Sequence, residues 1–298
     1  MHAGQVRVTS SVVRALIDDQ FPQWRGQPIR CVQGAGTVNA IFRIGDQLAA
    51  RFPLQGRDPD VVLHQLQAEA DAATKLLGRT RFLTPEPVAI GAPGPGYGLP
   101  WAVQTWLPGA AATDRDPGDS EGFALDLAEF VAEVHLISTG GKRFEGPGRG
   151  GVLATHDEWM QTCFERSVGL LDVQRLRQMW APMRELPRGL DADVTSHGDL
   201  IPGNLLVSDC GRLAGVLDVG GLGPADPALD LVGGWHLLDA AARKVFRESL
   251  QPDELQWQRG RAWAFQQAMG LVWYYLESNP AMSRVGRRTL DRLLADSS

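Results

Sequence analysis

Cysteine is scarce: Cys31, Cys163 and Cys210 are the three in 298 residues. They are odd in number and widely spaced, which argues against a disulfide framework or a zinc site and implies free thiols in a reducing compartment. An excess of positive charge is also lacking. Against 35 Asp and Glu stand 29 Lys and Arg, giving a net charge of −6 and a pI near 5.5, which argues against nucleic acid as the main partner. No apolar run approaches the roughly 18 residues of a membrane span. Residues 1–19 lack a basic segment followed by an apolar core and a cleavage site, so the protein is expected to be cytoplasmic, neither secreted by that route nor membrane-spanning. Internal repeats and low-complexity tracts are missing too.

What is present is an ordinary globular composition, with 44% hydrophobic and 21% charged residues. A chain of this length buries a sizeable core and suits two subdomains around one cleft. The mildly acidic balance fits a cationic small molecule as partner.

The most informative stretch is Ser196-His197-Gly198-Asp199-Leu200-Ile201-Pro202-Gly203-Asn204. Two apolar runs follow it, residues 205–207 and 213–217, flanking the polar turn Ser208-Asp209-Cys210-Gly211, and they read as a short hairpin. Asn204 then stands at its entrance and Asp218 at its exit, and antiparallel pairing brings such ends together. An amide oxygen beside a carboxylate is an incomplete shell for a hard divalent cation, which leaves room for substrate phosphates. Asp199, close behind, is the candidate base for a substrate hydroxyl. The plainer reading is that these groups make turn hydrogen bonds.

Nearer the N-terminus, residues 12–21 read as an amphipathic helix, and residues 29–32, 40–44 and 48–52 as strands. The loop Gln33-Gly34-Ala35-Gly36-Thr37-Val38-Asn39 carries glycines, Gly34 and Gly36, that let backbone N–H groups approach phosphates, and Thr37 adds a hydroxyl. Taken alone it is equally an ordinary hairpin connection. On the helix expected over residues 61–77, Val62, Leu66, Glu69, Ala73 and Leu76 share one stripe, so one carboxylate interrupts an apolar face. A charge so placed needs a partner, and Arg51 is the natural one. The alternative is a surface-facing Arg51 with a partly exposed Glu69.

His197-x-Asp199-x-x-x-x-Asn204 followed by Asp218-Val219-Gly220 resembles the catalytic loop and metal-binding motif of protein-kinase-like enzymes. The form His-Gly-Asp-x-x-Pro-x-Asn, with Gly223-Pro224-Ala225-Asp226-Pro227 after it, resembles the aminoglycoside phosphotransferase family. Val219 departs from the aromatic usual there, but the chemistry uses Asp218 and not its neighbour.

The resemblance implies an α+β, bilobal protein-kinase-like fold. It has a small antiparallel-sheet nucleotide-binding lobe, residues 1–106, and a mostly helical lobe, residues 107–298, carrying the catalytic loop and the acceptor site. It implies Asp199 as catalytic aspartate, Asn204 and Asp218 as Mg2+ ligands, and Arg51 held by Glu69 against the phosphates of ATP or GTP. Main-chain groups of Thr105 and Leu107 would meet the base, with Gln104 behind them and Trp106 either covering the base or serving as core.

The implied activity is transfer of the γ-phosphoryl to a hydroxyl of an aminoglycoside-like antibiotic by a monomer or homodimer, with neither nucleic acid nor membrane as partner. A macrolide or a metabolite alcohol, such as a choline-like or amino-sugar compound, remains an alternative acceptor. A non-catalytic nucleotide-binding regulator is a second alternative, and a protein kinase is disfavoured.

Several residues are expected to be architectural. His135 reads as a packed core histidine and His197 as support for the loop, while Asp226 caps a helix and Asp230 braces the loop. Residues 140–151 read as a mobile glycine-rich loop, and residues 229–250, 252–277 and 283–294 as helices, with Arg284, Arg287, Arg288 and Arg292 on a solvated face. Asp157, Glu158, Asp239 and Glu277 are available for a polyamine, and Trp159, Trp235 and Trp273 for a more apolar acceptor.

Overall fold

In the computed structural model, which describes residues 7–32, 38–189 and 192–296, Thr9 starts the first helix, α1 (Ser10–Gln20), by accepting from the N–H of Val12. One face of α1 buries Val13, Leu16 and Ile17. Three antiparallel strands follow, β1 (Ile29–Val32), β2 (Asn39–Ile44) and β3 (Leu48–Pro53). Asp58 then caps α2 (Pro59–Leu76), with Pro59 preset for the first turn. Strands β4 (Pro87–Gly91) and β5 (Trp101–Thr105) complete a five-stranded sheet in the order β1-β2-β3-β5-β4.

Aromatic packing holds this unit together. Phe52 stacks on Trp101 at 4.8 Å and meets Tyr97 edge-on at 5.1 Å and Phe42 at 5.7 Å. Each such ring contributes roughly 1.5–3 kcal/mol by its burial alone. Gly91 is required beneath Trp101, because a Cβ there would lie 2.2 Å from the indole.

The chain divides into two compact units: Met1–Leu77, Leu83–Pro108 and Leu217–Gly220 form the sheet unit, and Gly78–Phe82, Gly109–Val216 and Gly221–Ser298 the second. The second unit holds, in chain order, β6 (Ala110–Ala111), α3 (Glu121–His135), α4 (Asp157–Arg166), α5 (Val173–Arg184) and β7 (Val194–Ser196). After them come β8 (Leu205–Val207), β9 (Leu213–Val216), β10 (Gly223–Ala225), α6 (Gly233–Leu237), α7 (Ala240–Leu250), α8 (Glu254–Tyr274) and α9 (Pro280–Ala295). Its strands form two small sheets, β6-β8-β9 and β10-β7.

Helix α8 is the axis of this unit. Ala262, Trp263, Ala264, Phe265, Ala268, Met269 and Val272 are all fully buried, so it is covered on nearly every side. Gly286 lets α9 approach it: a Cβ there would lie 2.8 Å from the carbonyl of Ala268. A buried carboxylate, Asp126 on α3, accepts from Arg212 Nε at 2.6 Å, Arg81 at 2.7 Å and the N–H of Leu213 at 3.2 Å, and so fixes the start of β9.

Three expectations are corrected. The helix anticipated over residues 229–250 is a 3-10 turn (Pro227–Val232), α6 and α7, interrupted where Asp239 adopts an extended conformation before α7. Of the four arginines of α9 only Arg284 is exposed as expected, and the other three do not form a solvated face. Arg292 is nearly buried, donates to the carbonyls of Trp235 and His236 at 3.1 Å, and pairs with Asp239; Arg287 donates to the carbonyl of Leu170 at 2.9 Å, and Arg288 pairs with Asp116. Carbonyls at the end of α6 have no further turn to bond, and Arg292 supplies the donors.

The end of the glycine-rich segment expected to be mobile is also tied down. Asp226 N–H donates to the carbonyl of Gly150 at 3.0 Å, and buried Arg259 donates to that of Gly151 at 2.7 Å. Gly150 has φ +116°, and a Cβ there would lie 2.7 Å from Ala225 Cβ.

Candidate active site

In the helical unit, β7 runs into His197, Gly198 and Asp199, and a single carboxylate shapes that turn. Asp230, fully buried, accepts from the backbone N–H of His197 at 3.0 Å and of Gly198 at 2.8 Å, and from His135 Nε2 at 3.2 Å. His135 is thus a partner of Asp230 and not merely packed. Burial alone pushes the Asp230 carboxyl upward. The hydrogen bond from His135, the charges of the two imidazoles and the Gly198 N–H outweigh burial and hold it below the usual carboxylate range. Gly198 takes φ +76°, a conformation glycine adopts without strain. The Asp199 N–H donates to His197 Nδ1 at 3.3 Å.

Asp199 is about one-third exposed, and both its carboxylate oxygens are engaged. Oδ2 accepts from Asn204 Nδ2 at 3.0 Å and Oδ1 from Arg149 at 2.9 Å. Asn204 Nδ2 also donates to the carbonyl of Asp199 at 2.9 Å. Both of these partners are acceptors, so the nitrogen of Asn204 faces them and its oxygen is turned away, available to a hard cation. Asn204 leads directly into the hairpin, where Leu205 pairs with Val216 and the turn closes through Ser208 N–H to the Arg212 carbonyl at 2.9 Å.

In the sheet unit, Arg51 on β3 lies between two carboxylates. One guanidinium nitrogen is 3.5 Å from Glu69 Oε2 on α2, and another is 3.1 Å from Asp218 Oδ1. Gln65 steadies Glu69 through a 2.9 Å bond to Oε1. Asp218 takes φ +57°, an uncommon backbone state for a residue with a side chain. Its carboxylate is half exposed, and no partner binds Oδ2 among the described residues. Gly220 must be small, because a Cβ there would lie 2.7 Å from Glu69 Cβ. A cavity of about 220 Å³ opens beside this group, walled by Leu66, Glu69, Val103, Gln104 and Gly220.

Leu107 makes no main-chain hydrogen bond among the described residues, so its N–H and carbonyl are free to meet a ligand. The N–H of Thr105 is engaged by the Glu86 carbonyl at 2.9 Å, which leaves Thr105 only its carbonyl for such a role. Trp106 donates its N–H to the Gln47 carbonyl at 2.7 Å, and its ring lies under Arg43 at 4.9 Å. Gly34, Gly36 and Thr37 lie outside the described residues.

Among the described residues, no three His, Cys, Asp or Glu side chains gather as a self-sufficient metal cage. Magnesium does not need one, since it keeps waters and phosphate oxygens in its shell. The outward oxygen of Asn204 in the helical unit and the half-exposed carboxylate of Asp218 in the sheet unit are each of a donor type that magnesium takes.

Of the side chains set aside for an acceptor, Asp157 is engaged by Arg184 Nε at 2.7 Å and by Trp180 Nε1 at 3.1 Å, Asp239 is engaged by Arg292, and Trp235 is fully buried. Trp159 and Trp273 form a pair at 5.8 Å, with Trp159 partly exposed. Sequence reasoning missed Arg149 altogether, although a lone arginine among the glycines of residues 146–151 was a visible signal.

Comparisons with known proteins give the family and the fold. The model of the phosphotransferase enzyme family, APH, matches residues 33–265, well over half of the chain. An aminoglycoside 3'-phosphotransferase of Streptomyces fradiae is 31% identical over 185 residues, which span 59% of this chain and 65% of that relative, a little under two thirds of its length. Among solved structures, the GDP and kanamycin complex of APH(2")-IIia superposes with a TM-score of 0.70 at 19% identity, covering 96% of this chain and 99% of the other. The macrolide 2'-phosphotransferase MphH from Brachybacterium faecium gives 0.60 at 19% identity, with 92% and 97% covered. At such identities the likeness is one of fold, and the fold is the α+β protein-kinase-like one, with an antiparallel-sheet lobe and a helical lobe. From the matched span and the loop geometry together, the chain belongs to the phosphotransferase enzyme family.

Proposed function

We propose that this protein transfers the γ-phosphoryl of ATP or GTP to a hydroxyl of a small antibiotic-like molecule, with an aminoglycoside-like compound as the acceptor suggested by the curated relative. The observation that carries this reading is the pair of hydrogen bonds from Asn204 Nδ2 to the carbonyl and the carboxylate of Asp199, which steadies the carboxylate and leaves the amide oxygen for a metal ion. Asp199 receives the acceptor's hydroxyl proton as its oxygen forms a bond to the γ-phosphorus. The bond from that phosphorus to the β-phosphate oxygen breaks, and the nucleoside diphosphate leaves.

Arg51, steadied by Glu69, orients the phosphates, and the carbonyl of Thr105 and the main chain of Leu107 seat the base. Gly34, Gly36 and Thr37 cradle the phosphates in this reading. Magnesium held by Asn204 and Asp218 would neutralise phosphate charge. We divide these roles between a nucleotide-binding lobe, residues 1–106, and a lobe for catalysis and acceptor binding, residues 107–298, and place the reaction in the cytoplasm, carried out by a monomer or homodimer.

A second reading, in which the acceptor is a macrolide or a metabolite alcohol, is favoured by the engagement of Asp157 and Asp239 with arginines, which removes two carboxylates otherwise available to a polyamine. The test is phosphate transfer from ATP and from GTP to a panel of antibiotics and amino alcohols, by the wild type and by Asp199→Asn. Turnover is expected to fall roughly 10²- to 10⁴-fold in the variant with nucleotide binding retained. Undiminished turnover would refute Asp199 as the base.

A further inference from the structure

The group closest to the proposed base is a cation. Arg149 NH2 lies 2.9 Å from Asp199 Oδ1 and 3.4 Å from the carbonyl of Gly198. All three guanidinium nitrogens also face the Gln267 side chain on α8. A guanidinium only donates, so the amide oxygen of Gln267 is the atom turned toward it, accepting from Nε at 3.0 Å, NH2 at 3.2 Å and NH1 at 3.3 Å. The Gln267 nitrogen then donates to His236 Nε2 at 2.7 Å, and the other ring nitrogen of His236 meets Thr289 at 3.0 Å. Burial lowers the pKa of His236 to about 4, so this imidazole is neutral and able to accept that bond. From below, the segment bearing Arg149 is held through the carbonyls of Gly150 and Gly151. The guanidinium is thus built into the helical unit from three sides.

A bare carboxylate at the reacting hydroxyl would attract an ammonium on a neighbouring carbon. At about 5 Å and an effective dielectric near 20, that attraction corresponds to roughly two- to three-hundredfold in affinity. Arg149 cancels it, because the Arg149–Asp199 pair carries no net charge. We propose that Arg149 is a specificity-determining residue that selects hydroxyls not flanked by an ammonium. The favoured acceptor then carries neutral or anionic substituents beside the reacting hydroxyl. This rests on Asp199 as the base and deepens that reading.

Two matched probes test it: kanamycin, and the same compound with every amine acetylated, which keeps the hydroxyls and loses the charge. The readout is the ratio of kcat/KM for kanamycin to that for the acetylated form, a quantity that a general loosening of structure does not shift in one direction. Arg149→Gln should raise the ratio at least tenfold over the wild type. Arg149→Lys, which keeps the charge, should leave it near the wild-type value. Gln267→Leu, which removes the oxygen holding the guanidinium, should move it the same way as Arg149→Gln and serves if that variant does not fold, as judged by nucleotide-induced thermal stabilisation.

An unchanged or lower ratio in both Arg149→Gln and Gln267→Leu, or no transfer to kanamycin by either, overturns the proposal. Failure of the phosphotransferase reading has a different signature, in which the wild type consumes nucleotide neither with an acceptor nor with water, and it would sink this inference as well.

Discussion

Replacing Asp230 tests how the loop bearing Asp199 is held. The carboxylate is fully buried and accepts two backbone N–H groups and one imidazole nitrogen. In Asp230→Ala all three donors lose their acceptor in a site closed to water. Each orphaned donor costs about 1–3 kcal/mol, so a loss of roughly 3–9 kcal/mol is expected, a large part of the 5–15 kcal/mol typical of a whole domain. Asp230→Asn keeps one accepting oxygen and turns an NH2 toward another donor, for roughly 2–3 kcal/mol.

The pH dependence has a definite sign. The folded carboxyl is held below its unfolded value of about 3.9, so its stabilisation is fully present above that value and drains away as pH falls through the lower folded value. Urea unfolding followed by circular dichroism at pH 7 and pH 2 measures both effects, and Asp230→Asn should show a flatter acid dependence than the wild type. Turnover of Asp230→Asn should fall on the order of 10²-fold, the effect of a misplacement of about 1 Å. A stability change below about 0.5 kcal/mol, or an acid limb as steep as the wild type's, would refute the role assigned to Asp230.

Other expectations can be checked singly. Glu69→Arg places a like charge beside Arg51 and should raise the apparent nucleotide constant roughly 10- to 100-fold, the scale of one charge-assisted bond; calorimetric titration with Mg-ATP reads it. Arg259→Ala leaves the Asp226 carboxylate buried without its 2.6 Å partner and should cost about 3–5 kcal/mol in chemical denaturation. In Gly91→Ala the new methyl meets the fully buried Trp101 ring, so a loss of roughly 1–3 kcal/mol is expected, visible as a lower Tm and altered tryptophan fluorescence.

Local pattern made part of this protein readable before any coordinates. The hairpin after Asn204 shows as two apolar runs about a polar turn, and the structure pairs Leu205 with Val216 accordingly. One carboxylate in an apolar helical stripe marked Glu69 as needing a cation, and Arg51 lies 3.5 Å away. Each signal is short-range, because strand alternation, helix period and turn chemistry are properties of neighbouring residues.

What packing alone decided is which distant side chains share a buried space. Arg149 reaches Asp199 across 50 residues of chain, and Asp230 reaches the turn before Asp199 across 33 and 32. Arg292 caps the carbonyls at the end of α6 from α9. A guanidinium or carboxylate is satisfied by whichever complementary group the fold brings within about 3 Å, and residue order alone does not encode that proximity. That Arg149 stands beside the proposed base was therefore decided by tertiary structure.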